Sequence, residues 1–373
     1  MRVSSLNVLM VSTSYPENAQ DWRGRFIANL AAALARREEI VLSLWAPPGE
    51  LPENVIAATT PGDARWLRRL SQQGGIAHLL RNRKMFAAVA VIQLLARLGR
   101  AYRHQPTNVC HVNWMQNALP LWGTRTPALI TVLGSDFGLL RLPGMTALVR
   151  AVLRQRRAIL APNAEWMRPE LERVFGDLAE IRPIAFGVDD AWFAVVRRPP
   201  EQIRHWLVIT RLTRNKIGDL FGWGEGLFGK DRQLHLFGPM QEKIELPHWV
   251  QYHGSTNSAE LLQTWFPQAC GLITLSRHDE GRPQVMLEAM AAGLPVIASD
   301  LPAHRDIVQH RETGCLVATR DELCQGLDWL EDSEHNSQTG QAARKWIKGS
   351  IGNWDDCASR YATAYRSLLE DKA

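Results

Sequence analysis

The chain has 373 residues, 46% of them hydrophobic and 22% charged, the balance of a soluble globular protein with room for two domains. Such a chain can bury a large core without cross-links, which excludes a small disulfide-held scaffold. Its formal charge of +5 is unevenly spread: residues 1–195 hold 23 Lys and Arg against 15 Asp and Glu, and Ala64 to Ser135 holds ten basic residues and no acidic one.

That asymmetry predicts an anionic partner for the first half, such as a membrane surface, a lipid diphosphate or a nucleic acid. Cys110, Cys270, Cys315, Cys324 and Cys357 are scattered, with no CxxC or Cys/His ligand spacing. This argues against a structural zinc site and fits a reducing, cytoplasmic setting. Leu6 to Val11 lacks the flanks of a secretory signal, and the apolar stretch Phe86 to Ala96 is too short to span a bilayer.

In chain order, Leu6 to Ser12 reads as a first buried strand, Thr13 to Arg23 as a loop, Arg25 to Arg37 as a helix and Ile40 to Trp45 as a second strand. Residues 64–105 read as two amphipathic helices separated by Gly74-Gly75. Arg65, Arg68, Arg69, Arg81, Arg83 and Lys84 are interleaved with Trp66, Leu67, Leu70, Leu79 and Leu80. A solvated helix face is the plain reading of this pattern; a membrane-contacting face, with Trp66 at the lipid interface, is the sharper one. Asn108 to Val112 and Ala128 to Leu133 are strand-like, and Leu139 to Ala158 reads as a basic helix. Val196 to Pro200, VRRPP, reads as a linker.

The second half opens with a strand, His205 to Arg211, followed by RLTRNK, which sets Arg211 and Lys216 at an R-x4-K spacing. Leu234 to Gly238 is another strand. The organising stretch is Ser276 to Asp300, flanked by the apolar runs Gly271 to Leu275 and Leu294 to Ala298. Pro283 suits a first helical position, Val285, Leu287, Met290 and Ala291 recur at helical spacing, and Gly293 suits the C′ position. The string therefore reads strand, Gly loop, helix, strand.

The start of that helix predicts the chemistry. First-turn N–H groups lack intrahelical partners and favour a phosphate. Gly281 permits close backbone approach. Glu280 and Glu288 offer acceptors for hydroxyls. Phosphate on a helix tip with hydroxyls on flanking carboxylates describes a nucleotide sugar.

EGRPQVMLEAMAAGLPV, with Glu280 and Glu288, resembles the E-x7-E signature of the retaining glycosyltransferases of family GT4, which have the GT-B fold. The resemblance implies that Glu280 holds donor-sugar hydroxyls, Glu288 the ribose, and the amides of Gly281, Arg282, Pro283, Gln284 and Val285 the diphosphate. It also implies that Arg211 and Lys216 stabilise the leaving diphosphate, where fixed cations lower the barrier. WRGRFIANL resembles the family variant with a single glycine near the diphosphate, here Gly24; a plain helix start accounts for it equally. HVNW resembles the family's HxHW element with Asn113 in place of the second His. TVLGSD resembles VHGSD, with Leu133 where the family has a His near the anomeric carbon and with Asp136 retained. His111 and Asp136 are candidate acceptor-side residues, although a satisfied core histidine describes His111 as well. FGVDDAWF resembles the GVD…F segment that closes the first domain, WVQYHG the strand before the base-binding loop, and Asn353 to Leu369 the terminal helix that crosses back.

The expected fold is α/β GT-B: two Rossmann-like domains facing across a cleft. The first, acceptor-binding domain would span 1–195 and the nucleotide-sugar domain 196–352, with a crossing helix at 353–373. The expected function is retaining sugar transfer from a nucleotide sugar to a glycan or lipid-linked acceptor in cell-surface polysaccharide synthesis. No D-x-D occurs, so no metal cofactor is expected. The expected location is cytoplasmic, peripheral on the inner face of the cell membrane, with an anionic membrane surface as partner and no nucleic acid. The alternatives are a GT-B nucleotide-sugar epimerase and a non-catalytic sugar-nucleotide-binding scaffold, for which Leu133 is the best argument.

Overall fold

The computed structural model describes residues 5–18, 21–76, 84–134, 136–200, 202–278 and 280–370. Leu79, Leu80, Arg81 and Arg83 of the basic segment, and Ser135, lie outside the described residues. The chain forms two compact units, Met1–Phe186 with Trp354–Ala373, and Gly187–Asn353.

The first unit contains β1 (Leu6–Val11), β2 (Ile40–Trp45), β3 (Val55–Ala57), β4 (Val109–Asn113), β5 (Ala128–Val132), β6 (Ala158–Pro162) and β7 (Glu180–Ile181). They form one parallel sheet in the order β3-β2-β1-β4-β5-β6-β7. Parallel strands covered on both faces read as continuous apolar runs, and β4 and β5 are buried at every position. Side-chain alternation separates two core layers. Leu9, Val11, Val112 and Ile130 face a layer that includes Leu67, Leu94 and Leu98. Val8, Met10, Leu42 and Leu129 face the helices Arg25–Ala35 and Trp354–Leu369.

Helix Pro61–Gln72 starts on a capping box, in which Thr60 Oγ1 accepts from the Asp63 amide at 3.1 Å. It buries Leu67 and Leu70 and exposes Arg65, Arg68 and Arg69, so the plain solvated-face reading describes it. Trp66 is turned inward, against the sharper expectation. Its Nε1 donates to Gln93 Oε1 at 2.6 Å, and the Arg97 guanidinium lies 5.1 Å from its ring centre. Among the described residues, no helix is long and apolar enough to cross a membrane. The segment expected as one helix from Leu139 is instead two, Phe137–Leu140 and Met145–Leu153, broken where Gly144 adopts φ +78°, and Ala158 already belongs to β6.

The second unit contains β8 (Arg204–Ile209), β9 (Arg232–Phe237), β10 (Val250–Gly254), β11 (Ala269–Thr274), β12 (Val296–Ser299) and β13 (Gly314–Val317). The sheet is again parallel, in the order β10-β9-β8-β11-β12-β13. One face packs Trp206, Val208, Leu234 and Leu236 against Leu323, Leu327 and Leu330 of helix Arg320–Glu331. The other carries a row of histidines from three adjacent strands. His205 Nδ1 lies 2.9 Å from His235 Nε2, and His235 Nδ1 lies 3.0 Å from His253 Nε2, with Trp265 against the row.

The expected boundary at 195/196 differs from the compact units, because residues 187–200 are fastened to the second. Arg197 is the reason. Its guanidinium donates to the carbonyl oxygens of Gly293 and Ala269, both at 2.7 Å, and to Asn336 Oδ1 at 2.8 Å. Trp192 packs on Phe266. The basic, proline-rich segment that reads as a linker is therefore anchored along its length.

Candidate functional site

In the second sheet, β8 and β11 are neighbours, and the strands on either side of them run off in opposite directions: β9 and β10 one way, β12 and β13 the other. Connections leaving the carboxyl ends of such a pair diverge, and α/β sheets place ligands there. Arg211 and Lys216 follow β8; Glu280 follows β11.

Two glycine-dependent contacts hold this end of the sheet together, the first of them between these connections. Short helix Arg214–Ile217 is capped by Thr213, whose Oγ1 accepts from the Lys216 amide at 3.3 Å. It ends at Gly218, at φ +55°, where a Cβ would lie 1.8 Å from the Leu275 carbonyl oxygen. Glycine alone allows this approach. The loops are then joined: the Arg277 amide donates to Asn215 O at 2.8 Å, the Asp219 amide to Leu275 O at 3.3 Å, and Arg277 Nε to Asp219 Oδ2 at 2.9 Å. At the second contact, Gly238, at φ +132°, lies over the Thr210 carbonyl and holds the ends of β8 and β9 close.

The outcome is direct contact between Lys216 Nζ and Glu280 Oε1, with side chains only 13% and 16% exposed. Burial holds the Lys216 amine below its ordinary pKa; Glu280 opposes this shift and the charge of Arg211 adds to it. The three residues expected to act on the donor are thus one electrostatic cluster. Ser276, which the sequence reading passed over, joins it by donating from Oγ to Glu280 Oε1 at 3.4 Å.

Helix Gln284–Ala291 starts beside this cluster. Pro283 is its N-cap, in extended conformation, rather than its first helical residue. Helix-end assignments shift by a residue in this way, and the missing proline N–H is harmless at either position. Gln284 Nε2 donates to the Gly187 carbonyl at 2.8 Å, while its Oε1 is buried without a hydrogen-bond partner among the described residues. Arg282 pairs with Asp306, both nearly buried. Gly281 is buried, Val285 is half-buried, and Gly293 closes the helix at φ +69°. The charged group that acts on Glu288 is Asp189. Glu288 keeps a partly exposed surface, yet enclosure by protein, with Asp189 adding to it, pushes its carboxyl up to about 8.

The first-unit candidates are structural in their visible contacts. Gly24 caps helix Arg25–Ala35 at φ +67°, and a Cβ there would meet the Ser14 and Tyr15 backbone at 2.7 Å, so protein accounts for this glycine. His111 is fully buried between Tyr365 Oη at 2.6 Å and Thr131 Oγ1 at 2.9 Å, and burial lowers its pKa to about 3. It fastens the C-terminal helix to β4 and β5, as a satisfied core histidine does. Asp136, also buried, accepts from the amides of Met115 at 3.1 Å and Leu133 at 3.3 Å, which fixes the loop around Leu133. Among the described residues, no group of three or more His, Cys, Asp or Glu is arranged to hold a metal ion.

Comparison with known proteins shows what the chain is similar to. Residues 229–346 match the family model described as "Glycosyl transferases group 1". The chain is 23% identical over 269 residues, 65% of its length, to the N-acetyl-alpha-D-glucosaminyl L-malate synthase of Bacillus anthracis, covering 66% of that protein. It is 36% identical over 104 residues, 27% of each chain, to a GDP-mannose-dependent alpha-(1-6)-phosphatidylinositol monomannoside mannosyltransferase of Mycobacterium tuberculosis. The chain thus spans two thirds or less of the curated relatives it matches. In fold it is similar to sucrose-phosphate synthase from Thermosynechococcus elongatus, with a TM-score of 0.73, 17% identity, and 98% and 99% of the two chains covered. It is also similar to Anabaena HepE, solved in complex with UDP and glucose, with a TM-score of 0.65, 13% identity, and 97% and 100% covered. These likenesses establish the two-domain α/β GT-B fold.

Proposed function

With residues 229–346 matching the model of the glycosyl transferases group 1 family and the chain folded as GT-B, we propose that this protein transfers a sugar, with retention, from a nucleotide sugar to a glycan or lipid-linked acceptor in cell-surface polysaccharide synthesis. The observation that carries this reading is the Lys216–Glu280 contact at the divergence of β8 and β11. It sets a cation suited to phosphate against a carboxylate suited to hydroxyls, four residues before a helix begins.

In this reading the diphosphate lies on Arg211, Lys216 and the amides at the start of helix Gln284–Ala291. Negative charge grows on the leaving nucleoside diphosphate as the glycosidic bond breaks, and preorganised cations stabilise that charge. Glu280 turns to the donor-sugar hydroxyls and Glu288 to the ribose. The leaving phosphate guides the acceptor to the same face of the sugar. Arg211 and Lys216 stand in for a metal, so turnover survives excess EDTA. The acid-free stretch Ala64 to Ser135, with Arg65, Arg68 and Arg69 exposed, favours an anionic acceptor such as a lipid-linked sugar diphosphate.

Incubation with a panel of nucleotide sugars and lipid-linked acceptors, followed by NMR of the product's anomeric centre, tests the reading. Release of nucleoside diphosphate with a retained anomer is expected. An inverted anomer contradicts retention, and an epimerised nucleotide sugar without transfer contradicts the activity.

A further inference from the structure

The Lys216–Glu280 contact is linked by hydrogen bonds to a histidine that the proposed chemistry leaves unused. His304 lies in the short helix Pro302–Arg305 after β12, and its side chain is fully buried. Its Nδ1 lies 2.7 Å from the Ser299 carbonyl oxygen and 3.2 Å from Ser299 Oγ. A carbonyl oxygen only accepts, so Nδ1 carries a proton. In the neutral ring Nε2 is then a bare lone pair, buried and without a hydrogen-bond partner among the described residues. The polar connection continues from the same serine. Ser299 Oγ donates to Ser276 O at 2.7 Å, and Ser276 Oγ donates to Glu280 Oε1.

The charged groups acting on the ring come from three elements: Glu280 after β11, Lys216 after β8 and Asp300 at the end of β12. Asp300 is occupied by Arg305, through bonds of 2.5 and 2.7 Å. Glu280 and Lys216 neutralise one another, so the ring has no net charge to answer and burial keeps it neutral. A diphosphate arriving at Lys216 changes this balance. It adds negative charge within a poorly solvated site, which favours the imidazolium form.

We propose that His304 takes up a proton at Nε2, from solvent, when a diphosphate occupies the Lys216–Glu280 site, so that this site gains a further positive charge only when its ligand is present. The proposal rests on the nucleotide-sugar reading of that site. His304 is a positioning residue in this scheme, since its link to the reacting groups runs through Ser299, Ser276 and Glu280.

The test uses the full chain and whichever of UDP, GDP, ADP and dTDP raises its melting temperature most. Proton–nitrogen correlation spectra of the imidazole rings report each ring's protonation directly. The free protein is expected to show His304 neutral, with its proton on Nδ1. Saturating nucleotide at the same neutral pH is expected to convert it to the imidazolium form. Calorimetric titration in two buffers of different ionisation heat should then give a net proton uptake that His304→Asn lacks. Asparagine keeps a donor for the Ser299 carbonyl but cannot titrate. As pH falls, nucleotide affinity should rise for the wild type relative to His304→Asn, by up to about tenfold for each unit by which binding raises the imidazole pKa. A ring that stays neutral with nucleotide bound, or equal uptake by both proteins, overturns the proposal. If His304→Asn does not fold, the wild-type spectra decide alone. If none of the four nucleotides binds, the nucleotide-sugar reading fails and takes the proposal with it. Binding with His304 neutral sinks the proposal only.

Discussion

Lys216 Nζ touches Glu280 Oε1, so each residue cancels the charge that the other would offer a ligand. In the proposed reaction a nucleotide sugar would part them, with the ammonium going to phosphate and the carboxylate to sugar hydroxyls. The pair therefore keeps two opposite charges preorganised in a partly buried place where neither would be stable alone.

Substitutions on the two sides of this pair should have opposite effects on nucleotide affinity. Glu280→Gln removes the competing anion, so nucleoside diphosphate should bind at least as tightly while sugar transfer falls. Lys216→Ala and Arg211→Ala should each lose turnover on the order of 100-fold with weaker nucleotide binding. Calorimetric affinities beside initial rates check this. Equal losses of affinity in Glu280→Gln and Lys216→Ala would refute separate roles.

The junction of the two loops depends on Gly218. A side chain there meets the Leu275 carbonyl and must adopt φ +55°. Such backbone strain costs about 1–3 kcal/mol. Gly218→Val should lower the melting temperature and abolish transfer, because Lys216 no longer reaches Glu280. Gly222→Ala, with nothing within 4 Å of its added carbon, is the control and should do neither.

Glu288 gives the protein a pH dependence of definite sign. Its carboxyl is pushed up to about 8 from 4.5, so the folded state prefers the acid form. The associated stability is full below 4.5, is lost as pH rises toward 8, and changes little above, at a slope approaching 1.4 kcal/mol per pH unit. Glu288→Gln should melt with the wild type at acidic pH and above it at pH 8. Thermal unfolding across that range checks it, and a wild type with the higher melting temperature at pH 8 contradicts it.

The histidine row has the opposite sign. Burial lowers His205 and His253, and takes His235 from 6.5 to about 4 with its two histidine neighbours adding to the shift. Neutral rings fit the folded state, so this stability is full above 6.5 and lost as pH falls toward 4. In a Glu288→Gln background, which removes the opposing slope, melting temperature should drop over that window. His235→Leu should flatten the drop. An unchanged slope in that variant would assign the acid sensitivity elsewhere.

The central strands were legible because strands buried on both faces read as unbroken apolar runs. Thus β1, β2, β4, β5, β11 and β12 all lie where such runs stand. Edge strands carry no such signal: β3 exposes Ile56 and Ala57, and β7 has two residues. The string around Glu280 and Glu288 pointed to the second unit's helix tip through its glycine, proline and carboxylates alone. The pairing of Lys216 with Glu280 was not legible, since it depends on Gly218 fitting against a carbonyl from another strand. Arg197 was misread for a related reason. Composition marks VRRPP as a linker, but only the fold supplies the oxygens of Gly293, Ala269 and Asn336 that fasten it. The histidine row is likewise invisible until three strands lie side by side.

The most direct test of the account is a thermal-shift measurement with UDP, GDP, ADP and dTDP on the wild type and on Lys216→Ala. A ligand that binds only the folded state raises its apparent stability, by about 2.7 kcal/mol at a hundredfold excess over Kd. At least one of the four should raise the wild-type melting temperature, and the same nucleotide should have little effect on Lys216→Ala. A wild type indifferent to all four, or a Lys216→Ala protein stabilised as strongly as the wild type, would contradict the placement of a nucleotide-sugar site at the Lys216–Glu280 pair.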